Sequence, residues 1–129
     1  MARCDAARRA CSFCAIAVAV SACAGKTILP GIPREVTGQN INPFEAHEEC
    51  AKLVPGDRLD YRFEAQRPVA FNIHYHEGKA VIMPISRDDA TTDDGTFRAL
   101  IPQDYCVMWE AGRDGAILDY RILLNRGQR

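Results

Sequence analysis

From residue 58 onward the chain alternates. Over 58–65, Leu59, Tyr61 and Phe63 are separated by Asp60, Arg62 and Glu64, the period of two that a strand with one dry and one wet face requires. Val69, Phe71, Ile73 and Tyr75 repeat the pattern against Ala70, Asn72, His74 and His76, which places both histidines on the face turned away from the core. Further strands are predicted over 79–85, 96–101, 105–110 and 116–124, the last with Leu118, Tyr120, Ile122 and Leu124 on one side. Residues that favour turns separate them: Pro55-Gly56, Asp94-Gly95, and Gly112-Arg113-Asp114-Gly115 as a hairpin tip. No segment sustains a helical period. The expected fold is all-β, an antiparallel β-sandwich or jelly-roll-like domain over 47–129.

Ahead of this domain the pattern changes twice. Residues 24–46 carry Pro30, Gly31, Pro33, Gly38, Asn40, Asn42 and Pro43 without a sustained apolar period, the composition of a linker. A flexible coil of that length would hold the domain roughly 25 Å from its start. Part of it, 27–32, is an alternative edge strand. Before the linker, Arg3, Arg8 and Arg9 precede a run of small and apolar residues that is shorter than the roughly 20 needed to cross a bilayer, so 1–22 is expected to be a signal peptide.

The end of that run, Val20-Ser21-Ala22-Cys23, resembles the lipobox of bacterial lipoproteins. The resemblance implies that Cys23 becomes the mature N-terminus, carries a diacylglyceryl group on its sulfur and acyl chains such as palmitate, and anchors the protein to the membrane. Residues 23–46 would then be the lipidated cysteine and its tether. With Ala24 following, the resemblance points to the outer membrane where the host has one, with the domain in the periplasm or outside. A plain signal peptide with a small-residue cleavage site is the alternative. Cys11-Ser12-Phe13-Cys14 has redox-motif spacing but would leave with the signal, and Gly25-Lys26-Thr27 lacks the first glycine and the leading strand of a phosphate-binding loop.

Composition narrows the rest. The 129 residues are 47% hydrophobic and 26% charged, enough for one domain with a core. Net charge is −1 for the whole chain, and becomes −3 once residues 1–22 are removed. No basic excess exists to support a nucleic-acid partner. After processing and lipidation only Cys50 and Cys106 remain, outside the cytoplasm, where an even pair suggests a disulfide and free thiols are the alternative.

Glu49-Cys50, Val54-Pro55-Gly56-Asp57, Gly95-Thr96-Phe97 and Asp104-Tyr105-Cys106-Val107-Met108-Trp109 together resemble the Golgi-dynamics (GOLD) domain, across 48–125. The resemblance implies a non-catalytic sandwich used for protein or lipid contacts, with the family's disulfide mapping onto Cys50 and Cys106. The coiled-coil stalk and membrane span of that family are missing, so its cargo-receptor role is not carried over.

Three stretches hold candidate chemistry. His74 and His76 stand roughly 6.5 to 7 Å apart on one strand face, a spacing that suits Zn²⁺ or Cu²⁺, with Glu77 or His47 as further donors; a solvent-facing strand end is the plain alternative. Arg87 to Gly95 contains four aspartates and is expected to be a solvated loop, matching no EF-hand. Tyr105, Val107 and Trp109 form either a core row or an aromatic partner patch. Catalytic equipment is thin: no Gly-x-Ser-x-Gly elbow occurs, and Ser86 is the one serine left after the leader. The expectation is a lipid-anchored envelope protein, not an enzyme, whose sandwich binds a small ligand or an envelope protein; the rival is a periplasmic Zn or Cu protein using His74 and His76.

Overall fold

A computed structural model describes residues 27–128 and shows six strands and no helix among them. The strands are β1 (Arg34–Ile41), β2 (Ala46–Leu53), β3 (Arg58–Glu77), β4 (Ala80–Arg98), β5 (Gln103–Ala111) and β6 (Ala116–Asn125). The predicted signal peptide and Cys23 lie outside the described residues.

β3 and β4 are long enough to belong to two layers at once. The first part of β3, residues 58–65, pairs with β6, and the second, 69–74, pairs with β5. Between them the register slips at Glu64 to Val69, where Pro68 has no N–H to give the ladder. β4 follows β3 through the same corner, with Asp89 in the left-handed region at φ 51. One layer therefore runs β1-β6-β3-β4 and the other β2-β5-β3-β4, all pairings antiparallel. Every one of these pairings joins a strand that precedes Gly78 to one that follows it.

The chain changes layer at each connection except the β3–β4 hairpin, where Glu77 pairs with Ala80 across Gly78 and Lys79. Gly112 to Gly115 is accordingly not a hairpin tip. It carries the chain from β5 in one layer to β6 in the other, and Gly115 (φ 65) passes so close to β1 that a Cβ there would stand 2.8 Å from the Ile41 carbonyl oxygen. Asp94-Gly95 is not a turn either, since both residues pair inside β4 with Arg62 and Tyr61. A Cβ on Gly95 would lie 2.8 Å from the Tyr61 hydroxyl, so this glycine makes room for the tyrosine ring.

Two further expectations change. The acidic stretch from Arg87 to Gly95 is strand and not loop: an edge strand with polar residues on both faces lacks the alternation that betrays its neighbours. The stretch expected to be a tether, 23–46, contains β1. Arg34 and Val36 turn inward there, Gly38 (φ 69) absorbs a bulge between Val36 and Gln39, and Ile28 is already buried.

The layers close over Leu53, Leu59, Phe63, Phe71, Ile73, Trp109, Leu118 and Ile122, each at or near zero exposure. Phe63 and Tyr120 of one layer meet Trp109 of the other at ring distances of 6.0 and 4.7 Å. Burying one such side chain contributes about 1.5–3 kcal/mol. Tyr105, Val107 and Trp109 are all fully buried in this core, so they form no partner patch. The reason is β5's position, flanked by β2 and β3 and facing the opposite layer. At one end Asp57 ties the fold together: its carboxylate accepts from the Val54 and Gly127 N–H groups and from Arg126 Nη1 at 2.6 Å.

Candidate functional site

Three polar clusters stand out, one between the layers and one on each outer face. On the outer face of the β2-β5-β3 layer the pairings Cys50↔Cys106 and Cys106↔His74 set three residues in a row across three strands. Cys50 and Cys106 are joined as a disulfide, with Cα atoms 4.1 Å apart. The neighbouring row is Glu48, Met108 and Asn72. His74 is not wet as its place in the alternation implied. It is 4% exposed, because the alternating pattern identifies the face but not what neighbouring side chains cover it. Asn72 Oδ1 lies 2.7 Å from His74 Nδ1, so the amide oxygen accepts and the imidazole proton sits on Nδ1. Nε2 is left facing Glu48 Oε2 at 3.9 Å, too long for a hydrogen bond. Burial holds the imidazole below its ordinary value, opposed by Glu48 and reinforced by His76.

His76, exposed, meets His74 edge to face with ring centres 5.2 Å apart. The donor atoms that come within 4.8 Å of one another, however, are those of Glu48, His74 and Cys106. Glu77 sits beside the hairpin turn and is not among them, and His47 is on the inner face of β2, across the sheet from His74. The donors that the sequence reading attached to His74 are thus replaced by Glu48 and Cys106. The signal for Glu48 was its i, i+2 spacing from Cys50, the partner of Cys106, hidden because β2 carries charge on both faces.

Those inward charges form the second cluster. Glu49 of β2 is 2% exposed and receives Arg34 Nε of β1 at 3.0 Å and the Tyr120 hydroxyl of β6. His47 Nε2 stands 2.9 Å from the same hydroxyl, and its ring stacks on Trp109. β1 and β2 are the outermost strands of their layers, so the Arg34–Glu49 pair latches the open side of the sandwich. Burial alone would raise the Glu49 carboxyl, but hydrogen bonds from His47, Tyr120 and Arg34 bring it below its ordinary value. Burial and then Glu49 push the Tyr120 hydroxyl far above its own. Both shifts run away from neutrality, whereas proton transfer favours groups poised near the working pH. The cluster suits a latch.

The third cluster lies on the outer face of the β1-β6-β3-β4 layer. The pairings Glu35↔Arg121, Arg121↔Arg62 and Arg62↔Asp94 make one row across all four strands, and Asp119↔Glu64↔Thr92 makes the next. These residues line a half-open groove of about 580 Å³. Arg121 directly opposes Arg62, and Asp119 directly opposes Glu64. Like charges in direct opposition are destabilising, by up to about 1 kcal/mol a pair. The flanking acids soften this: Glu35 Oε1 is 3.6 Å from Arg62 Nη2. No motif marks the groove in the sequence, because its members come from four separate strands.

No protein-family model matches the chain, and no curated protein matches it. Among solved structures it is similar to the solution NMR structure of a de novo designed double-stranded beta-helix, with 20% identity, 72% of this chain and 97% of that chain covered, and a TM-score of 0.37. The strand pairing described above defines the fold by itself.

Proposed function

We propose that this protein is a non-catalytic binding domain of the bacterial cell envelope, exported and lipid-anchored through Cys23, which receives a polar ligand in the groove of the β1-β6-β3-β4 layer. The observation that carries the binding role is the pair of like-charge oppositions, Arg121 on Arg62 and Glu64 on Asp119, side by side in one groove. Asp119 accepts the Gly38 N–H at 2.7 Å and Arg62 pairs with Glu35, but the direct oppositions themselves work against the fold, whereas a ligand offering both acceptors and donors would answer both rows. The Cys50–Cys106 disulfide supports a location where thiols oxidise.

The ligand class is one that alternates carboxylate, amide and ammonium groups, as cell-wall polymers do. Cosedimentation of the purified chain with peptidoglycan sacculi tests this. Arg121→Gln and Glu64→Gln are each expected to lower the bound fraction severalfold while raising unfolding stability by about 0.2–1 kcal/mol. Binding unchanged in both variants would remove the groove from the function. Incorporation of labelled palmitate, lost in Cys23→Ser, checks the anchor.

A further inference from the structure

We infer that the Cys50–Cys106 disulfide masks a zinc site, which opens when the bond is reduced and is completed by His74 and Glu48. It lies on the other layer from the groove and on the outer face, so it stands or falls separately from the proposed binding role.

The geometry points there from three sides. Cys50, Cys106 and His74 occupy one row of three adjacent strands, and Glu48 reaches over β5 from the next row, so Glu48, His74 and Cys106 converge on one patch of sheet with Cys50 bonded to Cys106 at its side. One donor atom each from Glu48, His74 and Cys106 already falls within a 4.8 Å sphere of the others. The imidazole is also set in the ligating tautomer. Asn72 Oδ1 accepts a hydrogen bond from Nδ1–H at 2.7 Å and leaves Nε2 facing Glu48 Oε2 at 3.9 Å, the outer-shell arrangement that orients metal-bound histidines. Two thiolates, one imidazole and one carboxylate make a four-donor set that suits tetrahedral Zn²⁺.

Oxidised, the cysteines have no thiolate to offer. A dithiol reductant opens the site by exchange: its two sulfurs become bonded to each other, the Cys50–Cys106 bond breaks, and two electrons and two protons pass to the protein thiols. Zn²⁺ then displaces both protons, forming two Zn–S bonds. The rigid row keeps the donors together after the bond is cut, because β2, β5 and β3 remain paired along eight and six residues respectively.

The experiment is a Zn²⁺ titration of the purified full chain, with Cys4, Cys11, Cys14 and Cys23 replaced by serine so that Cys50 and Cys106 are its only cysteines, against a chromophoric chelator, oxidised and then reduced by a dithiol that is removed anaerobically. Co²⁺ is used in parallel for its thiolate charge-transfer band. Reduced protein is expected to bind one equivalent at least an order of magnitude more tightly than oxidised protein. His74→Ala should abolish most of that gain, Glu48→Gln part of it, and His76→Ala none. Cys50→Ser provides a route without reductant, since it frees Cys106 beside His74 and Glu48. It should show the Co²⁺ band with one thiolate, while Trp109 fluorescence reports that the core is intact. Equal affinity of oxidised and reduced chains, an unaffected His74→Ala, or a folded Cys50→Ser with no band would each overturn the proposal.

Discussion

At Asp57 a single carboxylate holds the β2–β3 turn and the end of the chain, taking hydrogen bonds from Val54, Arg126 and Gly127. Burial by itself would raise this carboxyl, yet those donors and the Arg126 charge outweigh it and bring it from 3.8 to about 2. Because the folded value is the lower one, its contribution to stability is complete above 3.8 and is lost as the pH falls through about 2. Asp57→Asn keeps the shape and removes the charge, so it is expected to cost about 1.5–3 kcal/mol at neutral pH. The wild type should also weaken between these two values while the variant changes less. Urea unfolding followed by Trp109 fluorescence at several pH values checks both. Gly115→Ala belongs to the same scale. It forces a Cβ onto the Ile41 carbonyl at a positive φ, and an unfolding midpoint unchanged from wild type would contradict the close approach.

Among the elements, β5, β6 and the first half of β3 were legible in the sequence because each has one face packed and alternates cleanly, and the second half of β3 because its apolar residues alternate even though Asn72 and His74 are buried on the other face. Of β4 the two ends were legible, as the strands expected over 79–85 and 96–101, but its middle was not: residues 86–95 are largely polar on both sides, and Ala90 is the one apolar side chain among them that packs against the core. β2 was hidden for the opposite reason: His47 and Glu49 point inward, so its buried positions do not look apolar. The donors around His74 were half legible. A period of two locates an imidazole on a face, but Glu48 and Cys106 reach it from strands whose order the sequence does not reveal. Two elements give tests. At the β4 corner Asp89→Val should cost about 1–2 kcal/mol, whereas Asp89→Gly should cost nothing, as read from thermal or urea midpoints. Across β2 and β5, metal-free reduction of the disulfide removes a link between positions 56 residues apart and should lower stability by about 4 kcal/mol in the chain-entropy account. A reduced chain as stable as the oxidised one would place the bond outside the fold's energetics.

For the whole molecule the controlling fact is that long-range pairings dominate, with layers sharing β3 and β4 and latched at their free side by Arg34 and Glu49. Neither layer has an edge-to-edge set of strands of its own. Refolding is therefore expected on the slow side for a domain of this size, in milliseconds to seconds, and to a single cooperative state. Stopped-flow refolding with near-ultraviolet circular dichroism as a second probe checks this; separate early and late phases for the two layers would refute it. The arrangement has a bearing on biosynthesis as well. Since, among the described residues, no strand ahead of Gly78 hydrogen-bonds to another strand ahead of it, none of the described ladders can form on a nascent chain until β4 leaves the ribosome, and the residues after Gly78 are the ones that commit the domain to its shape.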